Sequence, residues 1–310
     1  MPLKFYIGLI SFSLSICAIL LNLLIFIPVF RLAFVSKKST IYIIAFFNII
    51  SDLVQLVVTG FHLSASIMAD RYILSEHRLD VMNFFWGGVF INAWYMECFV
   101  HIVMAVNRFV VITLKQNNIF TFKTTVLIFV FLFSLSTFST ICTQFLFPCC
   151  RFIPDHNSLS YILIPIEETY SYSNFMIVFY DISSVSISYT CYIAVFLTIR
   201  NTRKTAPINA NRTHQDVKYL FHFVFISIFY ILTWVSFELL PFIVPADQPE
   251  WFGAIPILIA LNCSSNSIIY LFGNPEVQKM VQIPWIRKKL VRGASSSAAM
   301  TTAPATIPTN

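Results

Sequence analysis

The sequence predicts an all-α membrane fold: a seven-transmembrane helix bundle, amino terminus outside, with a short amphipathic cytoplasmic helix after span seven. Three observations predict it. The 310-residue chain is 57% hydrophobic and only 11% charged, against roughly 25% charged in soluble domains. Its apolar residues gather into seven runs, each reaching the roughly 20 residues that cross about 30 Å of hydrocarbon as a helix. The segments between the runs alternate between basic and acidic. A membrane β-barrel would instead show segments of about ten residues with alternating polarity. Abundant Phe (33) and scarce Gly (7) also suit long lipid-facing helices.

The predicted spans are Phe5–Phe30, Ile41–Met68, Val81–Leu114, Thr124–Phe147, Asn174–Ile199, Tyr219–Val244 and Trp251–Phe272. The first exceeds the roughly 7–15 apolar residues of a signal peptide and lacks a small-residue cleavage site, so it is read as a retained helix. The third is long enough to tilt or project beyond the bilayer. After Phe272, residues Glu276 to Leu290 mix apolar residues, Trp285 and Arg287-Lys288-Lys289, broken at Pro284. This suits a short helix lying on the inner leaflet. Residues 1–280 form the membrane domain and 281–310 a cytoplasmic tail. From about residue 293 the tail is Ser, Thr, Ala and Pro and reads as disordered.

Charge sets the threading. Sixteen of the twenty basic residues fall in one set of segments: around Arg31–Lys38, Arg108–Lys123, Arg200–Lys218 and the tail from Lys279 to Arg292. The other set holds only Lys4, Arg71, Arg78 and Arg151, beside Asp70, Glu76, Asp80, Asp155, Glu167, Glu168, Asp247 and Glu250. The positive-inside rule puts the first set in the cytoplasm. Topology thus accounts for the net charge of +6, and no nucleic-acid partner is implied. The sequon at Asn211 falls in a cytoplasmic loop and is expected to stay unmodified; that at Asn262 lies inside span seven. Cys17, Cys98, Cys142, Cys191 and Cys263 lie within spans, where free cysteine behaves as a small apolar residue. Cys149 and Cys150 lie where disulfides form, with no cysteine partner at the outer end of span three.

Ionisable residues within spans are functional candidates by default. Arg108 keeps its charge, yet sits near the cytoplasmic end of span three, where it can snorkel towards water. It reads either as a lock or partner contact at the cytoplasmic mouth, or as a plain positive-inside anchor. Asn22, Asp52, Glu97, Asn262 and Asn266 all project to mid-bilayer depth. Two carboxylates there cannot both be charged without a cation or shared proton. The cluster therefore reads as a polar core holding sodium or a proton, or as a neutral network that fixes packing. Asp181, Ser184 and Glu238 lie towards the outer ends of spans five and six, and Trp86, Phe90 and Trp94 in span three supply apolar walls. Few polar groups in apolar walls suit a small-molecule pocket, although serine in such helices often bonds only its own backbone.

Gathered together, these residues resemble a rhodopsin-like G-protein-coupled receptor over about residues 5–280. Asn22, Asp52, Asn107-Arg108-Phe109 and Asn266-Ser-Ile-Ile-Tyr270 stand in the family's order. Three positions depart from its usual motifs: Asn107 replaces an acid, Phe109 a tyrosine and Ser267 a proline. The chain also resembles nematode serpentine chemoreceptors, most closely the Srx class, through AVNRF (105–109), PCCRF (148–152), TYSYS (169–173) and IIYLFGNPEV (268–277). The resemblance implies a chemosensory receptor in the plasma membrane, with sensory cilia as the expected site. A small-molecule or peptide ligand would enter from outside and a heterotrimeric G protein would dock beside Arg108. Asn107, Arg108, Phe109, Asn266 and Tyr270 would form the switch. Span seven has no lysine for a retinal Schiff base. Phe90, eighteen residues before Arg108, stands where amine receptors place an acid, so a biogenic amine is not expected. The usual cysteine of helix three is missing, with Asn83 near that level.

Two other classes fit the sequence less well. A transporter tends to show internal repeats with matching broken helices, and no repeat is visible. Seven-helix insect-type channels place the amino terminus inside, against the charge count. A membrane enzyme would need a nucleophile with its base or a metal cluster; neither HExxH nor GxSxG occurs. No cofactor is expected beyond the sodium ion.

Overall fold

A computed structural model describes residues 2–116, 118–147, 149–164, 171–205, 210–245 and 247–281, with only the helical backbone at residues 2 and 202–224. The chain forms seven long helices: α1 (Leu3–Val35), α2 (Ile41–Ala69), α3 (Val81–Thr113), α4 (Phe122–Leu146), α5 (Tyr172–Thr205), α6 (Ala210–Ile243) and α7 (Pro249–Gly273). A short α8 (Pro275–Val281) follows. Each predicted span corresponds to one helix. α1, α5 and α6 run past the predicted spans and carry Arg31, Arg200 and the polar stretch before Tyr219 within the helix. A helix that projects past the hydrocarbon carries such residues without penalty. The predicted amphipathic segment appears as α8 up to Val281; Trp285, the Arg287–Lys289 cluster and the tail lie outside the described residues.

Local chemistry sets several ends. Asp80 caps α3, its Oδ1 accepting from the Met82 N–H at 3.2 Å. Thr121 caps α4 through the Thr124 N–H at 3.3 Å. Asn274 separates α7 from α8, and its Oδ1 accepts from the Glu276 N–H at 2.9 Å. Such caps satisfy amides that the first helical turn leaves open.

Between α4 and α5 stand β1 (Arg151–Asp155) and β2 (Ser160–Ile164), antiparallel, with Phe152 opposite Leu163 and Pro154 opposite Tyr161. Among the described residues this hairpin is the only sheet. It lies over one end of the bundle; α8 marks the other.

The helices are arranged polar side in. The apolar stretch of α3 is 78% buried, against 28% for that of α1 and 17% for that of α6. Leu127, Phe131 and Phe242 stand 69%, 65% and 86% exposed. In water such apolar surface would drive association; in a bilayer it is solvated by lipid. Two apolar layers fill the interior. One, towards α8, gathers Ile43, Ile44, Val100, Met104 and Phe129. The other, towards the hairpin, gathers Phe90, Trp94, Tyr95, Phe152 and Tyr161.

Candidate functional site

The polar residues of α1, α2, α3 and α7 meet in the bundle interior. Asn22, Asp52, Glu97, Asn262 and Asn266 are each 0% exposed. Asp52 Oδ2 accepts from Asn48 Nδ2 at 3.0 Å and Asn266 Nδ2 at 3.1 Å. Glu97 accepts from Gln55 Nε2 and Asn262 Nδ2, both at 2.7 Å, and His101 Nε2 stands 3.5 Å away. Asn22 donates to the Ala18 and Cys263 carbonyls and accepts from Ser267 Oγ at 2.7 Å. Carboxylates only accept, so the amides turn their nitrogens towards them. That leaves Asp52 Oδ1 and the side-chain oxygens of Asn48, Asn262 and Asn266 buried without hydrogen-bond partners. The site is thus rich in oxygens and short of protons. Sequence reasoning missed Gln55 and Asn48. Their signal was spacing: both lie within one helical turn of Asp52.

Near α8 a cleft of about 310 Å³ opens between α2, α3, α7 and α8, lined by Lys38, Tyr42, Arg108, Tyr270, Asn274 and Glu276. Arg108 and Tyr270 are thereby brought together in one wall. Asn107 is buried beside Arg108, and Phe109 packs on the neighbouring apolar layer. Glu276 pairs with Lys38 at 2.6 Å and accepts from the Tyr42 hydroxyl at 2.6 Å. Burial pushes its carboxyl up, but Lys38 and Tyr42 outweigh that and hold it below the usual glutamate value.

Under the hairpin lies a tighter cavity of about 20 Å³, lined by Phe90, Trp94, Tyr161, Asp181, Trp234 and Phe237 among others. The Tyr161 ring stacks on Phe90 at 4.0 Å, and Phe152 on Phe90 at 5.8 Å. Asp181 Oδ1 accepts from Tyr230 at 2.6 Å and from Trp94 Nε1 at 3.0 Å. Three predicted pocket residues do not line this cavity. Trp86 faces His62, with ring centroids 6.0 Å apart. Ser184 donates to the Cys98 carbonyl at 3.2 Å, since a buried hydroxyl takes the nearest backbone acceptor. Glu238 is half-buried on α6, one turn beyond Trp234. Phe152 and Tyr161 were missed, because nothing in their local sequence shows that the loop folds back over the helices.

The hairpin is held without a cysteine on α3. Cys149 and Cys150 are joined to each other. Gln144 supplies the tie from α4, donating to the Phe152 carbonyl at 2.8 Å and accepting from the Phe152 N–H at 3.0 Å. Asp155 accepts from Tyr72 at 2.7 Å and pairs with Arg78 at 2.9 Å. Thr59 and Tyr161 share a hydrogen bond of 2.8 Å. Asn83 Oδ1 accepts from His62 Nε2 at 3.1 Å, and its Nδ2 donates to the Arg78 carbonyl at 3.0 Å.

A solved structure of the same fold is that of squid rhodopsin, with a TM-score of 0.72 over 97% of this chain and 92% of that chain at 14% sequence identity. Curated protein sequences give no match. Residues 12–272 match the family described as "Serpentine type 7TM GPCR chemoreceptor Srx". With that match over most of its length, the chain belongs to the Srx family of serpentine, seven-helix G-protein-coupled chemoreceptors.

Proposed function

We propose that this chemoreceptor takes a small molecule or peptide at its hairpin end, outside the cell. At its α8 end, inside, it engages a heterotrimeric G protein around Arg108. The plasma membrane, and sensory cilia within it, is the proposed location. The observation that carries the reading is the pairing of two concavities at opposite ends of one bundle. One is aromatic with a single carboxylate in its wall; the other is lined by Arg108, Lys38 and Tyr270. Between them lies the amide–carboxylate layer of α1, α2, α3 and α7.

Each end has the chemistry its role needs. The aromatic cavity offers few polar groups in apolar walls, the usual composition of a ligand site. The α8-end cleft offers a permanently charged guanidinium beside a hydroxyl, suited to backbone carbonyls and a helix carboxyl end of a docked protein. A ligand shifts the resting equilibrium only by its differential affinity for the two states. The layer between suits such a switch, because its hydrogen bonds join α2 to α3 through Gln55 and Glu97, α3 to α7 through Asn262, and α7 to α2 through Asn266.

We further propose that a sodium ion or a proton belongs to this layer. Asp52 would hold a cation, with the amide oxygens of Asn48, Asn262 and Asn266 as the oxygen ligands that a hard cation prefers. Bound there, the ion would neutralise part of the paired carboxylate charge.

The test is a G-protein readout on cells expressing the full chain, comparing the wild type with Arg108→Ala under a chemical panel. Agonist responses are expected to vanish at unchanged surface expression. Survival of both responses and expression overturns the role of Arg108.

A further inference from the structure

The hairpin-end cavity carries an imbalance of donors and acceptors that its own packing does not resolve. Asp181 is 0% exposed. Its Oδ1 accepts from Tyr230 at 2.6 Å, Trp94 at 3.0 Å and the Cys98 thiol at 3.4 Å. Its Oδ2 accepts from nothing, and the residue lines the cavity. An acceptor buried this way is costly unless something donates to it. Glu238 adds a second acid. It stands on α6 one turn beyond the cavity-lining Trp234, and its Oε1 is likewise buried and unpartnered. No lysine, arginine or histidine lines the cavity among the described residues.

Resting on the reading of this cavity as the ligand pocket, we infer that the receptor recognises a small organic amine. Its ammonium group donates to Asp181 Oδ2 and is enclosed by the faces of Trp94, Phe90 and Tyr161. Charge decides the class. A carboxylic acid would set a second carboxyl against Asp181 in the cavity. An alcohol has one proton to donate, whereas an ammonium carries several and can answer Asp181. Aromatic faces attract a cation and offer a hydroxyl little. Asp181 is also held in place: three donors fix one oxygen, so little order is lost when the other is engaged. This recognition comes from α5. The position on α3 where the resemblance places an amine-binding acid is Phe90, which here forms part of the cage.

Size follows from packing. The free volume of about 20 Å³ admits little more than a water molecule. An amine with a carbon tail therefore displaces the rings of Phe152 and Tyr161 that the hairpin lays over Phe90. Binding at Asp181 and lifting of the hairpin become one event.

Thermal unfolding of the full-length receptor, purified in detergent, tests this without any G protein, so failure of coupling and failure of amine recognition are distinguishable. The probes are straight-chain primary amines from ethylamine to decylamine, and phenethylamine, each beside the alcohol and the carboxylic acid of the same skeleton. At least one amine is expected to raise the midpoint saturably while its alcohol and acid do not. Asp181→Asn keeps an oxygen for Trp94 and Tyr230 and should weaken that amine about tenfold to a hundredfold. Glu238→Gln should weaken it by a smaller factor, and it decides the matter alone where the Asp181 variant does not fold. The inference is overturned if no amine shifts the wild type, if the matched alcohol or acid shifts it equally, or if the folded variants retain full amine affinity.

Discussion

Asp52 and Glu97 are matched to amides, with no lysine or arginine among their hydrogen-bond partners. Removing one amide should therefore expose the cost of a bare acceptor. Asn262→Leu deletes the 2.7 Å donor to Glu97 Oε1 and is expected to destabilise the receptor by about 1–3 kcal/mol. A fall in thermal midpoint measures it, and an unchanged midpoint argues that the network contributes nothing to stability. The sodium proposal gives a second outcome at this scale. Exchanging sodium for choline should lower the midpoint of the wild type and leave that of Asp52→Asn unchanged; equal sensitivity in both removes Asp52 from the ion site. Much of this layer was legible in the sequence, because a polar side chain within an apolar span carries a penalty that demands a partner. Asn22, Asp52, Glu97, Asn262 and Asn266 stood out for that reason. Tyr230 and Cys98 did not. Both are ordinary residues of membrane helices, and only the crossing of α3, α5 and α6 brings them to Asp181.

The β1–β2 hairpin shows what one-dimensional reading leaves out. Its loop, His156-Asn157-Ser158-Leu159, lacks the Asn-Gly or Asp-Gly pair that marks short hairpins, and Leu159 bears the positive φ of 54°. Its aromatic residues could equally have met lipid. Tertiary contacts select the strands: Gln144 from α4, Asp155 to Arg78 and Tyr72, and Gly87 of α3. A Cβ at Gly87 would lie 2.0 Å from the Phe152 carbonyl oxygen, so backbone and helix approach as closely as glycine allows. Gly87→Ala should push the hairpin away and cost about 1–3 kcal/mol by overpacking. Faster proteolysis within residues 156–159 is the expected readout, and unchanged cleavage would show that the hairpin does not press on α3.

The same element should respond to acid. Burial pushes the His156 imidazole below its usual value, Lys4 adds to this, and Asp155 and Asp70 oppose it. Lys4 lies 3.3 Å from Nδ1, Asp70 3.5 Å, and the Tyr72 ring packs against it. With the folded value depressed, the contribution of neutral His156 is complete above the ordinary value of about 6.5. It is lost as pH falls through the lower folded value. Proteolysis of the hairpin is expected to accelerate on acidification below about pH 6.5, and less so in His156→Phe. An equal acceleration in both assigns the effect elsewhere.

At the scale of the whole molecule, the seven crossings were legible because apolar length alone predicts them. Which helix occupies the centre was less so. The mainly apolar α1 faces lipid, whereas α3, with Asn83, Asn92, Glu97, His101 and Asn107, is the buried post. In a bilayer the interior is where polar side chains find partners, so polarity within a span marks the inside of the bundle. The direction of threading is a claim from charge: sixteen of the twenty basic residues fall in alternate segments between the spans, which the positive-inside rule assigns to the cytoplasm. It fixes which cavity meets ligand and which meets the G protein. An epitope inserted between Arg203 and Ala210, in the connection from α5 to α6, tests it most directly in cells expressing the full chain. The account predicts antibody labelling only after permeabilisation. Labelling of intact cells would place Arg108 outside and contradict it.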